Sequence, residues 1–94
     1  MANNSYKRGA DFERGVAKRF RDTGCFAVRS AGSKTSVDVI VIDPKSKEVR
    51  LIQCKTGVKT SMEDLIKTKE LKKFEGDYKV VIELWHKQHG TKRL

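Results

Sequence analysis

No stretch of this 94-residue sequence stays apolar long enough to cross a bilayer, and its N-terminus lacks the apolar core of a signal peptide. There is neither an amphipathic helix with bulky apolar anchors nor a lipidation signal, so no membrane partner is expected and the chain reads as cytoplasmic. Cysteine is scarce too. Cys25 and Cys54 form no CxxC and have no histidines nearby, which excludes a zinc signature and leaves both as small hydrophobes in apolar segments. Repeats, low-complexity tracts and an obvious linker are all missing, and residues 1–94 read as a single domain near the lower size limit for a self-sufficient core. Acidic residues are outnumbered: 12 Asp and Glu face 21 Lys and Arg, giving a net charge of +9 and a pI near 9.8. Such a balance favours an extended anionic partner, and nucleic acid comes first.

The residues that are present alternate between helical and strand patterns. Residues 1–5 are polar and read as loose, with Asn4 or Ser5 available as a helix N-cap, and a helix follows from Tyr6 to Thr23 with Gly24 as its stop. Cys25 to Ser30 alternates as a strand, and residues 31–36 are a small-residue loop. Val37–Asp43 and Glu48–Lys55 flank Pro44-Lys-Ser-Lys47 and predict an antiparallel hairpin. Thr60-x-x-Glu63 has the spacing of a capping box that opens a helix over 61–75. A β-branched and aromatic run, Tyr78–Trp85, predicts a last strand before the basic tail His86–Leu94. The order α, β, β, β, α, β points to a mixed sheet with helices packed on it.

Four polar residues sit where apolar residues belong. On a helical wheel Glu13 falls inside the arc of Phe12, Val16, Ala17 and Phe20, while Arg14, Lys18 and Arg21 share a solvated basic face. A glutamate in a core stripe needs a partner, whether as an ion pair at the stripe's edge or as part of a site. Asp38 opens a strand apolar on both faces, Val37 to Ile42, which predicts a central strand; there it either caps the preceding loop or is held to bind a cation. In the neighbouring strand, period-two alternation puts Gln53 and Lys55 on one face, with Ile52 and Cys54 on the other. The hairpin brings that strand's end beside Asp38. Oxygen ligands near a lysine are what metal-dependent phosphodiester hydrolysis requires, with Mg²⁺ or Mn²⁺ offsetting charge and lysine orienting or deprotonating water. Glu13 can complete the cluster, and the positive charge suits a phosphate backbone.

These residues resemble the archaeal-type Holliday junction resolvases, within the wider PD-(D/E)xK nuclease superfamily. The resemblance runs through Tyr6-Lys-Arg-Gly-Ala10, Glu13-Arg14, Gly24-Cys-Phe-Ala-Val28, Arg29-Ser-Ala-Gly-Ser-Lys34, Val37-Asp38-Val39 and Gln53-Cys-Lys55, and it thins after Lys55. It implies an α/β, restriction-endonuclease-like fold, a mixed central sheet flanked by helices. It also implies a homodimer that resolves four-way DNA junctions by paired symmetric nicks with Mg²⁺ or Mn²⁺ and no small-molecule cofactor. Position by position, Glu13 and Asp38 match metal-site carboxylates, Gln53 stands where the family has a glutamate, and Lys55 matches the catalytic lysine. Arg14 and Arg29 match basic residues near the scissile phosphate, and Ser30, Ser33 and Lys34 lie in the matching DNA-contacting loop. Gln53 is the departure: its carbonyl can ligate Mg²⁺ but brings no charge, so weaker metal binding or a different division of work with Glu13 is expected.

Two other functions fit the same residues: a restriction- or repair-type nuclease on the same fold, and a non-catalytic junction-binding module with a decayed site. Lys67, Lys69, Lys72 and Lys73 read as a solvated face of the second helix, and Met62, Leu65, Ile66, Leu71 and Phe74 as its core side. Trp85 suits internal packing or a subunit contact equally. His86 and His89, three apart in a strand-and-tail context, do not read as a metal pair. With Lys87, Lys92 and Arg93, His86 reads as solvated or touching DNA phosphates. The resemblance fits a cellular or a virus-encoded resolvase alike.

Overall fold

The computed structural model describes residues 2–30, 37–56, 69–87 and 90–93 and, within these, the side chains of all but 2–6, 69 and 70. Helix α1 spans Ala2–Asp22. It starts earlier than the sequence pattern suggests: residues 2–5 are helical, so neither Asn4 nor Ser5 is the N-cap, since nothing in that stretch breaks a helix. Ala10, Val16 and Ala17 are buried, with Phe12 and Phe20 packed beside them, and Arg14, Lys18 and Arg21 lie in solvent.

The helix ends on a two-bond cap that Gly24 makes possible. The Cys25 amide donates to the Phe20 carbonyl (3.1 Å) and the Gly24 amide to Arg21 (3.0 Å), with Gly24 at φ 90°. A Cβ at Gly24 would meet no atom within 4 Å, so the cost of a side chain there is torsional only. Gly24→Ala is expected to lose about 1 kcal/mol, seen as a fall in melting temperature of roughly 4–8 °C for a domain of this size.

Five strands form one mixed sheet in the order β1-β2-β3-β4-β5: β1 (Phe26–Arg29), β2 (Val39–Asp43), β3 (Glu48–Lys55), β4 (Lys79–His86) and β5 (Gly90–Arg93). All neighbours are antiparallel except β3 and β4, which are parallel. The β2–β3 turn is the expected one; Asp43 Oδ1 accepts from the amides of Lys45 (2.9 Å) and Ser46 (3.3 Å), and Lys47 takes a positive φ of 54°.

The C-terminal stretch is not a tail. Gly90–Arg93 pairs with β4 as an edge strand, and His86 ends β4 buried at 3% exposure. A glycine at φ 78°, Gly90, accompanies the reversal, and the basic residues after it decorate an exposed edge, where Lys and Arg discourage further pairing.

Alternation sorts the sheet's two faces. On the α1 side, Ala27, Val39, Val41 and Ile52 pack with Val16 and Ala17, and Trp85 joins them, its ring 5.5 Å from that of Phe20. Trp85 is therefore an internal packing residue. On the opposite side the register lines up two apolar rows, Phe26-Ile42-Val49-Val80 and Val28-Ile40-Leu51-Ile82. A 3₁₀ helix, Lys69–Phe74, covers only the β3–β4 part of these rows, leaving a groove lined by Val49, Leu51, Leu71, Phe74, Tyr78 and Val80. The expected helix over 61–75 is thus a 3₁₀ turn where it is described; Thr60, Met62, Glu63, Leu65, Ile66 and Lys67 lie outside the described residues. Lys72 and Lys73 are solvated as expected, but Phe74, read as core, is 72% exposed at the rim of the groove.

Candidate active site

Asp38 stands one residue before β2, and a slip in the ladder explains why. The register pairs Val39 with Ile52, yet the Asp38 amide also donates to the Ile52 carbonyl (2.8 Å), so two residues of this strand oppose one of β3. That is the arrangement of a β-bulge, which re-aims a side chain at the end of a ladder. The freed amide of Cys54 then finds the Asp38 carboxylate, donating to Oδ2 at 2.9 Å. On its other side the β1–β2 register runs one step further: the Ser30 amide donates to the Asp38 carbonyl (3.0 Å), and the Ser30 hydroxyl donates to the Val37 carbonyl. Ser30 thereby bonds to the residues on the far side of segment 31–36; Ser33 and Lys34 lie outside the described residues.

Glu13 reaches the same end of the sheet from α1. Its place in the apolar arc is explained by an ion pair: Arg29, the last residue of β1, donates to Glu13 Oε1 through Nε and Nη2, each at 3.1 Å, with both side chains about four-fifths buried (20% and 19% exposed). Arg14, by contrast, is solvated and paired with Asp11 at 3.1 Å, an exposed contact of little energetic weight.

The electrostatics tie these groups together. Burial raises the Asp38 pKa above the usual carboxylate value; the Cys54 amide opposes this, Glu13 adds to it, and Lys55 and Arg29 oppose it. The Cys54 thiol, buried and facing Asp38 and Glu13, is pushed up to about 12, which makes it an inert packing residue. Asp38, Glu13, Lys55 and Arg29 therefore share one electrostatic neighbourhood.

Gln53 lies between Ile52 and Cys54, the two residues that bind Asp38. It is 4% exposed, and its Oε1 is buried without a hydrogen-bond partner. A buried carbonyl oxygen left unpaired costs roughly 1–3 kcal/mol, which makes this position the conspicuous anomaly of the fold. A carbonyl oxygen of this kind suits a hard cation, so Gln53 fits Mg²⁺ or Mn²⁺ as a neutral donor. Among the described residues no three His, Cys, Asp or Glu side chains stand close enough to hold an ion. The acidic residues that share this neighbourhood are accordingly a pair, Asp38 and Glu13.

The alternation expected for β3 holds, with Gln53 and Lys55 on the face away from α1 and Ile52 and Cys54 toward it. Glu13 and Arg29 thus approach from the helix side, Gln53 and Lys55 from the other, and Asp38 sits at the bulge between them. His86, expected to be solvated or to touch DNA phosphates, is instead buried at the end of β4. It pairs with Lys55 across the parallel β3–β4 ladder, and the next amide, Lys87, donates to the Lys55 carbonyl at 2.9 Å, so the end of β4 fixes the backbone of Lys55. A strand boundary placed one residue later would have found it.

A mixed sheet backed by a helix, with Asp38, Gln53-x-Lys55 and the helical Glu13 toward one end of the sheet, is the arrangement expected of a phosphodiester-hydrolysing nuclease. The family model described as "Archaeal holliday junction resolvase (hjc)" matches residues 4–83, further along the chain than the motifs carry the resemblance. The chain therefore belongs to the archaeal Holliday junction resolvase family, endonucleases acting on branched DNA and dependent on metal. Among solved structures it is similar to the Holliday junction resolvase Hjc of the archaeal hyperthermophile Archaeoglobus fulgidus, with a TM-score of 0.56 and 16% identity over 93% of this chain and 71% of that one. At that identity the likeness speaks for the fold, a mixed sheet with helix consistent with the restriction-endonuclease-like architecture. A comparison with curated proteins finds no match. No helix among the described residues is long and apolar enough to cross a membrane.

Proposed function

We propose that residues 1–94 form one nuclease domain that resolves four-way junctions inside the cell by paired symmetric nicks, as a homodimer using Mg²⁺ or Mn²⁺. Glu13, Asp38 and Gln53 would hold the metal and Lys55 would orient the attacking water. The observation that carries this reading is the buried, unpaired Oε1 of Gln53 next to the residues that bind Asp38. When bound, the metal supplies Lewis-acid activation of water and offsets charge on the phosphoryl oxygens. Asp38 is held for this by the Cys54 amide, which fixes its carboxylate in one rotamer. Lys55 is fixed through its backbone from the β4 side, by its pairing with His86 and by the Lys87 amide. Arg29 and Arg14 steer the phosphate backbone, with Ser30, Ser33 and Lys34 on the intervening loop; backbone contacts set position and leave the choice of substrate to shape.

A dimer is supported by the uncovered apolar rows. Phe26 is 58% and Val28 40% exposed, side by side with half-buried Ile40 and Ile42. An apolar strip of this kind on a small domain marks a contact surface, and two cuts on opposed strands require two sites.

The test is nicking of a synthetic four-way junction against linear duplex, with and without Mn²⁺. The reading requires metal-stimulated, paired nicks in the junction and their loss in Asp38→Ala; an uncut junction, or an Asp38→Ala chain as active as the parent, overturns it.

A related expectation concerns Gln53→Glu. The added carboxylate is expected to tighten Mn²⁺ binding to the free protein by about tenfold or more, a gain of ~1.4 kcal/mol or above. It should also lower the melting temperature of the metal-free protein, because a buried charge is placed near Asp38 without a partner. Titration calorimetry and thermal melting read the two effects separately.

A further inference from the structure

Two carboxylates, Glu13 and Asp38, face two cations, Arg29 and Lys55, and the third oxygen donor, Gln53, is neutral. The site as a whole therefore carries no net formal charge to attract a divalent ion. One of its two carboxylates is also engaged: Arg29 holds Glu13 Oε1 through two N–H groups at 3.1 Å in a largely buried pair, where screening by solvent is weak. A guanidinium binds phosphate oxygens with the same two-pronged geometry that it uses for a carboxylate. It can bind Glu13 or a DNA phosphate with that fork, but not both at full strength.

We propose that the metal site of this chain is completed by its DNA: Arg29 clamps Glu13 in the free protein and releases it to the metal when a substrate phosphate takes over the guanidinium. The inference rests on the reading of Glu13, Asp38 and Gln53 as the metal-holding residues. DNA contributes in two ways, supplying the negative charge that the neutral amide of Gln53 does not and freeing a carboxylate. Coupling of this kind is reciprocal, so the metal tightens DNA binding by the factor by which DNA tightens metal binding. Free protein then carries little metal, and a charged metal centre assembles only on a phosphate backbone.

The experiment is a Mn²⁺ titration followed by the electron paramagnetic resonance of the free ion. It uses the full chain alone and with a synthetic four-way junction, after subtracting Mn²⁺ held by the junction itself. The parent is expected to bind Mn²⁺ weakly alone and about tenfold or more tighter with the junction, within the usual range of coupling between two sites. Arg29→Gln, which removes the clamp, is expected to bind Mn²⁺ about tenfold tighter than the parent without DNA and to lose most of the gain on adding it. Adding Glu13→Gln to Arg29→Gln should cancel the tighter binding. Circular dichroism checks that each variant is folded, and the parent with and without junction gives the coupling independently of any substitution. Equal Mn²⁺ affinity of the parent with and without junction, or no tightening in a folded Arg29→Gln, overturns the clamp. Failure of the metal-site reading looks different: Mn²⁺ binding with the junction present would then survive Asp38→Ala unchanged.

Discussion

Asp38→Asn is expected to abolish nicking, by about 10³-fold or more in kcat, and at the same time to leave the metal-free protein more stable than its parent. The loss follows from its proposed role as a charged metal ligand at the bulge between β2 and β3. The gain follows from the direction of its pKa. Burial, reinforced by Glu13, raises the carboxyl pKa in the folded chain despite the Cys54 amide, Lys55 and Arg29. A folded-state pKa above the unfolded value means that the folded chain binds the proton more tightly, so ionised Asp38 costs stability at neutral pH. That cost disappears as pH falls through the folded pKa, and the gap between parent and variant should narrow on acidification. Asparagine keeps an oxygen to accept the Cys54 amide and removes the charge. Since the residue is half-buried, solvent discounts the gain, which should stay within a few degrees of melting temperature; ~1 kcal/mol corresponds to roughly 4–8 °C at this size. Mn²⁺ with junction should then raise the melting temperature of the parent and not of the variant, because only a state that binds ligand is stabilised by it. A variant that melts lower than the parent at neutral pH, or still nicks, contradicts the assignment of Asp38.

The residues that could be read from sequence are those whose local chemistry is self-sufficient. Gly24 ends α1 because only a residue tolerant of positive φ can close that cap, and a glycine after a helical pattern announces it. The hairpin at Pro44–Lys47 and the alternation of Gln53 and Lys55 are equally local. What was not legible depends on partners distant in sequence. Glu13 in the apolar arc of α1 was visible as an anomaly, but its ion pair with Arg29 exists only once β1 lies under the helix. The bulge at Asp38 is a property of two strands together, and Val37-Asp38 reads as a continuous strand until Ile52 is opposite. The basic run after Trp85 looked like a solvated tail because its charge dominates its pattern; pairing with β4 and the charge of Glu83 turn it into a strand.

Glu83→Ala is expected to be the most destabilising single change in the described fold, costing about 3 kcal/mol or more. Glu83 is 4% exposed by side chain and sits on the α1 face of β4. Its Oε2 accepts from Arg50 Nη1 (2.9 Å) on β3 and from Arg93 Nε (3.1 Å) and Nη2 (3.0 Å) on β5, and its Oε1 from the indole of Trp85 (3.3 Å). Arg50 is shared with Glu48 at 3.0 Å and lies over the Phe20 ring at 5.7 Å, so one carboxylate joins β3, β4, β5 and the end of α1. Removing it leaves the Arg50 guanidinium, 18% exposed, with Glu48 as its one carboxylate partner among the described residues, and lets go of the charged partner of the edge strand. A loss of that size lowers the melting temperature by roughly 12–24 °C for a domain of under a hundred residues. Glu83→Gln, which keeps the acceptor oxygen and loses the charge, should fall in between. Because β4 anchors Lys55 through the Lys87 amide, the same substitution should also slow nicking at temperatures where the protein is still folded. Differential scanning calorimetry decides the matter: a Glu83→Ala chain that melts within a few degrees of the parent would mean that the arginines find other partners and that packing alone holds β5 to the sheet.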